Sequence, residues 1–142
     1  NSGKIILDVA EDFKKNFGRE YGFFERYKLD DAEIAIVCLG STAGTTKVVV
    51  DELREKGIKA GLLKPRVFRP FQYKEIADEL SHLKAVAVLD RSDTFSAYAG
   101  PLFTEITSAL YTTNNSLLAT NYIYGLGGRD INTEDIRKFL MN

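Results

Sequence analysis

Apolar and polar positions alternate along the chain in two periods, and the change of period marks its parts. Ile5, Val9, Phe13 and Phe17 recur every four residues with charges between them, which predicts an amphipathic helix ended at Gly18. The following stretch, GREYGFFERYKLDD (18–31), sets Tyr21, Phe23, Phe24 and Tyr27 among charges. It reads as an extended arm whose rings lie on another surface, either of its own domain or of a neighbour. From Ala32 the pattern becomes regular. AEIAIVCLG (32–40) is a short apolar run rich in β-branched residues, the signature of a buried strand. TTKVVVDELREKG (45–57) predicts a helix with Val48, Val49, Leu53 and Lys56 on one side and Gly57 as its stop. IKAGLLK (58–64) is a second strand, and PRVFRPF then carries two prolines that forbid helix. QYKEIADELSHL (72–83) predicts a helix with Ile76, Leu80 and Leu83 inward, and KAVAVLDR (84–91) a third strand. After the loop DTFSAYAG (93–100), Pro101 occupies the first position of the helix PLFTEITSALY. LLATNYIYG (117–125) is a fourth strand, and LGGRD leads to a last helix capped by Asn132, with Glu134 and Asp135 complementing its positive end.

Strands alternating with helices predict an α/β fold: three layers, an open, mostly parallel sheet with helices on both faces. A division follows into a connector helix and aromatic arm (1–31) and an α/β domain (32–142). At 142 residues and 44% apolar, the chain can bury a core without disulfide or metal. Its 19 basic and 20 acidic residues give no field that points to nucleic acid, and no apolar segment is long enough to cross a membrane as a helix. A single cysteine fits a reducing, cytoplasmic setting. The start, NSGKIILDVAEDF, shows neither an initiator Met nor a signal-peptide pattern, and the expectation is a piece of a larger polypeptide.

Ligands in such sheets bind beyond the carboxyl ends of the strands. If all four strands are parallel, four loops gather there, bringing Lys64, Arg66, Arg69, Arg91 and Arg129 together with Asp90, Asp93 and Asp130. This rim reads first as an ion-pair network or an interface, and second as an anion site using Ser41, Thr42, Arg66, Arg91 and Arg129. The run CLGSTAGTT (38–46) has the look of a phosphate cradle. However, three residues rather than four separate Gly40 from Gly44, and Thr45 stands where a phosphate-binding lysine belongs. A strand, a glycine turn and a helix start with capping hydroxyls remain, and GLGGRD (125–130) is likewise an incomplete phosphate motif. His82, the only histidine, falls near a helix C-terminus and reads as a surface residue. Cys38 inside a strand reads as an inert buried thiol, and neither zinc nor haem finds a ligand set. Residue chemistry thus assigns no catalytic and no metal-binding residue.

In order along the chain, GSTAGTTKVVVDELREKGIKAGLLKPRVFRPF (40–71), AVAVLDRS (85–92), GPLFTEI (100–106) and NYIYGLGGRDINTEDI (121–136) resemble one family. It is the second domain of the alpha subunit of 2-oxoacid:ferredoxin oxidoreductases, most closely the pyruvate enzyme, a domain similar to the C-terminal domain of transketolases. The resemblance covers about residues 18 to 142, and the helix at 4–17 matches least. It implies a thiamine diphosphate-dependent oxidative decarboxylation that forms acyl-CoA and CO2. It also implies Mg and iron–sulfur clusters in the whole enzyme, none bound by this segment, with electrons passing to ferredoxin. The implied partners are a preceding thiamine-binding domain and beta-, gamma- and delta-type subunits, with this segment in a structural, assembly role and inactive alone. Two other readings stay open: a flavodoxin-like module binding a small ligand or anion at the rim, and a protein-interaction domain using the arm from Tyr21 to Tyr27.

Overall fold

The computed structural model describes residues 2–111, 113 and 116–141. Its elements run α1 (Ser2–Phe17), β1 (Phe24–Tyr27), β2 (Ile34–Cys38), α2 (Thr42–Glu55), β3 (Ala60–Pro65), α3 (Tyr73–Leu80), β4 (Ala85–Asp90), α4 (Pro101–Tyr111), β5 (Leu118–Ile123) and α5 (Thr133–Met141). The sheet order is β1-β3-β2-β4-β5. β2 pairs in parallel with both β3 and β4, and β4 with β5, so the four strands expected from Ala32 onward are all parallel.

Strict alternation along the central strands explains the three layers. Ala35, Val37, Leu63, Val86 and Val88 face one side, where they meet Ile76 and Leu80 of α3 and Leu102 and Ile106 of α4. Ile36, Cys38, Leu62, Ala87 and Leu89 face the other, against Val49, Val50 and Leu53 of α2 and Ile136 of α5. With both faces covered, the strands read as nearly continuous apolar runs rather than as alternating ones.

Three sequence expectations change. The arm is not wholly outside the sheet: Phe24–Tyr27 forms an antiparallel edge strand, with Phe24 opposite Pro65 and Tyr27 opposite Leu62. Phe24 and Tyr27 are half-buried on opposite faces of the core, which leaves Glu25 and Arg26 to ion pairs with Lys47, Arg66 and Glu79. Next, α2 begins at Thr42 rather than Thr45, so its inward stripe is Thr42, Thr46, Val49, Val50 and Leu53, while Val48 and Lys56 are exposed. Finally, α1 forms as expected and stops at Gly18 (φ +67°), but none of its residues is buried and Ile5, Val9, Phe13 and Phe17 remain exposed. The start of α5 agrees with expectation: Asp135 N–H donates to Asn132 Oδ1 at 3.0 Å and Asn132 N–H to Asp135 Oδ2 at 3.3 Å, a reciprocal cap.

Candidate functional site

Because β2 to β5 are parallel, the loops after them converge at one sheet edge, and the strand order reverses between β2 and β4. A cleft of about 320 Å³ opens at this crossover, the usual position for ligands in doubly wound sheets. Its walls are Gly40 and Ser41 after β2, Phe68 after β3, Asp90 and Arg91 at the end of β4, and Tyr124 after β5. A second hollow of about 340 Å³ adjoins it, adding Thr45, Asp130 and Ile131.

Asp90 organises this edge from below. Its buried carboxylate accepts hydrogen bonds from the backbone N–H groups of Leu102 (2.8 Å) and Phe103 (3.1 Å), in the first turn of α4. Asn121 Nδ2 donates to it as well, at 2.8 Å, and Asn121 Oδ1 accepts from the Gly100 N–H at 2.9 Å. An internal carboxylate therefore occupies the amide cradle that opens α4. Across the cleft, the Thr42 and Tyr124 hydroxyls are 2.6 Å apart, and burial holds the Tyr124 phenol above its usual pKa. The Arg91 guanidinium is exposed, lies 5.7 Å from the centre of the Tyr124 ring, and has no ion-pair partner among the described residues.

The five anion candidates do not stay together. Ser41, Thr42 and Arg91 share the cleft. Thr42, however, is buried and its hydroxyl is committed to Tyr124. Arg129 lines a different hollow, with Leu126 and Asp135, and stands 4.0 Å from the Asp135 carboxylate. Arg66 turns away to Glu25 of β1 at 3.0 Å and over the Tyr21 ring. Arg69, likewise, pairs with Glu105 at 2.6 Å. The hydroxyl capping expected of CLGSTAGTT is also absent: Ser41 makes no side-chain cap bond to α2. The edge thus offers an anion one guanidinium, the Ser41 hydroxyl and the amides opening α2. The described residues contain no cluster of three His, Cys, Asp or Glu side chains fit for a metal.

Sequence reasoning missed Asn121, Gly100, Phe68 and Tyr124. Only Asn121 carried a signal, as an amide in the middle of an apolar strand. His82 lies at the opposite, amino edge, its Nε2 3.0 Å from the Leu29 carbonyl oxygen. Cys38 is fully buried, and burial pushes its thiol up to about 11. At pH 8 the thiol is therefore protonated and shielded, and iodoacetamide is expected to modify it only in urea. Rapid stoichiometric labelling of the native protein, read by mass, would contradict that placement.

The family described as pyruvate:ferredoxin oxidoreductase core domain II matches residues 32–136, about three quarters of the chain. The chain belongs to that family. Among curated relatives, it is 48% identical over 138 residues to pyruvate synthase subunit PorA of Thermotoga maritima, covering 97% of this chain and 35% of that protein. The PorA subunit of Methanothermobacter thermautotrophicus is 45% identical over 98% of the chain, and the ketoisovalerate oxidoreductase subunit VorA of Pyrococcus abyssi 42% over 94%. The chain spans about a third of the length of these relatives. A solved chain of 2-oxoglutarate:ferredoxin oxidoreductase from Magnetococcus marinus, with 2-oxoglutarate, coenzyme A and succinyl-CoA bound, superposes with a TM-score of 0.60 at 16% identity. It covers 92% of this chain and 21% of its own, and it bears on the fold alone. Among the described residues no helix is long and apolar enough to cross a membrane.

Proposed function

We propose that this chain is core domain II of the alpha subunit of a cytoplasmic 2-oxoacid:ferredoxin oxidoreductase, with pyruvate as the 2-oxoacid. The whole enzyme would convert the 2-oxoacid, coenzyme A and two oxidised ferredoxin equivalents into acyl-CoA, CO2, two reduced ferredoxin equivalents and a proton. The observation that carries this reading is the near end-to-end match, 48% identity over 97% of the chain, to a pyruvate synthase subunit. Pyruvate is preferred over ketoisovalerate because the two relatives with the higher identity among those compared act, by name, as pyruvate synthases.

Within that enzyme the segment has a structural role. An iron–sulfur cluster takes several thiolates, commonly four, and the sequence holds one cysteine, itself buried. The donor set here therefore does not fit a cluster, and the clusters, like thiamine diphosphate and Mg, belong to other domains and subunits. This domain packs against the preceding thiamine-binding domain, with α1 as the connector, and helps hold the alpha subunit to its beta-, gamma- and delta-type partners. The rim residues Ser41 and Arg91 offer at most a single anion contact, which leaves the flavodoxin-like binding module as the weaker reading.

The test is a full-length subunit co-produced anaerobically with its partner subunits. Coenzyme A-dependent reduction of ferredoxin is expected with pyruvate, faster than with 3-methyl-2-oxobutanoate, and the 142-residue segment alone is expected to give none. A faster rate with the branched substrate would move the assignment to the ketoisovalerate enzymes. No turnover with any 2-oxoacid by a complete, cofactor-loaded complex would overturn it.

A further inference from the structure

We propose that the carboxyl edge of the sheet, anchored by Phe95 and Tyr98, is the surface on which the rest of the alpha subunit docks. The inference rests on the alpha-subunit reading above and adds which surface is used and by what. Phe95 and Tyr98, in the loop after β4, are wholly exposed, and Leu39 after β2 and Leu126 after β5 are exposed beside them at the same edge. Large aromatic side chains displayed in this way are what buried interface anchors look like before their partner is in place.

The charges at the two edges differ in kind. Lysines outnumber arginines in the chain as a whole, yet of the five basic residues at the ends of the parallel strands and in the loops after them four are arginine: Arg66, Arg69, Arg91 and Arg129, with Lys64. At the amino edge, exposed Ile58, Leu118 and Tyr111 are accompanied by Lys56, Lys59 and Lys84, and by Arg54, which is held by Asp31 and the Ala60 and Lys28 carbonyls. Arginine and aromatic residues are enriched in protein interfaces, whereas lysine is depleted there and belongs to solvated surface. By this measure the carboxyl edge, with two wholly exposed rings and an Arg91 that has no ion-pair partner among the described residues, is the richer in interface residues.

The direction of the backbone selects the occupant. β1 is antiparallel to β3, so the residues leading into it lie at the carboxyl edge, where the Arg66 N–H donates to the Phe23 carbonyl at 2.7 Å. From there a chain of ring contacts leads back into α1: Arg66 over Tyr21 (5.1 Å), Tyr21 edge-on to Phe13 (5.4 Å) and Phe13 against Phe17 (4.5 Å). The exposed apolar stripe of α1 is thus joined to this edge. α5 leaves in the other direction, with Phe139 and Leu140 beside Ile34, Ala85 and Leu118 at the strand starts. About two thirds of the length of the related subunits lies outside this segment. On the alpha-subunit reading, in which the thiamine-binding domain precedes α1, that domain is delivered to the edge that carries Phe95 and Tyr98.

The experiment introduces Phe95→Cys, Tyr98→Cys and the amino-edge control Glu55→Cys singly into the full-length alpha subunit. Maleimide labelling is timed at each site by peptide mass spectrometry, in native buffer and in urea. In the native subunit, labelling at 95 and 98 is expected to be at least tenfold slower than at 55, with equal rates in urea. Slow amide hydrogen exchange over residues 92–99 of the unsubstituted subunit should accompany it. Equal native rates at all three sites would overturn the inference. So would protection that arises only when the partner subunits are added, or only as protein concentration rises, which would make the occupant another subunit or a second copy. Pyruvate-dependent acceptor reduction by the unsubstituted preparation, assembled with its partners, keeps the outcomes separate. Turnover with an unprotected edge sinks only this inference, whereas absence of turnover counts against the enzyme assignment.

Discussion

Asp90→Ala is expected to destabilise the protein by about 3–5 kcal/mol, the largest effect of any single substitution at this edge. The carboxylate is buried and accepts from the Leu102 and Phe103 amides and from Asn121 Nδ2. Alanine leaves two helix-start amides and a side-chain amide without their acceptor, at a site water reaches poorly, and removes the negative charge that complements the α4 N-terminus. For a chain of this size such a loss corresponds to a melting temperature lower by about 10–15 °C. Asp90→Asn restores one acceptor oxygen but points an NH2 group at the remaining donors, so it should recover only part of the loss. Asp93→Ala, on the same loop but exposed, is the control and should stay within about 0.5 kcal/mol. Urea titration of the three variants checks this. A loss below about 1 kcal/mol for Asp90→Ala would mean the carboxylate is not structural.

Gly100→Ala is expected to cost about 2–3 kcal/mol or more, for a steric reason tied to the same carboxylate. A Cβ on residue 100 would lie 2.3 Å from Asp90 Cγ and 2.4 Å from Oδ2, far inside contact distance. The carboxylate cannot swing aside, because three donors hold it. The two sites are therefore coupled. The Asp90 Cβ is itself only 2.5 Å from the added atom, so the obstruction clears only in an Asp90→Gly background, where Gly100→Ala should become much milder, with a coupling of about 2 kcal/mol in a double-mutant cycle. Additive losses would show that Gly100 is needed for some other reason.

The parts of the fold legible in the sequence were those decided by local pattern. β2, β3 and β4 are apolar runs buried on both faces, and Gly18, Gly57, Pro101 and Asn132 mark helix ends by backbone chemistry that needs no tertiary partner. β1 was not legible as a strand: FERY alternates aromatic and charged residues, and its pairing with β3 depends on residues some forty positions away. The true start of α2 was missed because Thr42, Gly44 and Thr45 are poor helix formers. The burial of Thr42 against Tyr124 and of Thr46 against Cys38 outweighs that propensity. At the candidate site, the meeting of Ser41 and Arg91 followed from the parallel order alone. The loss of Arg66 to Glu25 did not, since it requires β1 to be present. In the sequence Asp90 is one more rim acid, because its acceptor role depends on partners twelve, thirteen and thirty-one residues away.

The central claim, that this chain is one domain of an oxidoreductase alpha subunit, is tested most directly by purifying the native polypeptide that carries it under anaerobic conditions. Its intact mass, co-purifying chains and bound thiamine diphosphate are then measured together. The account predicts a polypeptide about three times the length of this segment, as in its relatives, held with an iron–sulfur subunit and thiamine diphosphate. A native polypeptide of only about 16 kDa, isolated without thiamine diphosphate or an iron–sulfur partner, would contradict it.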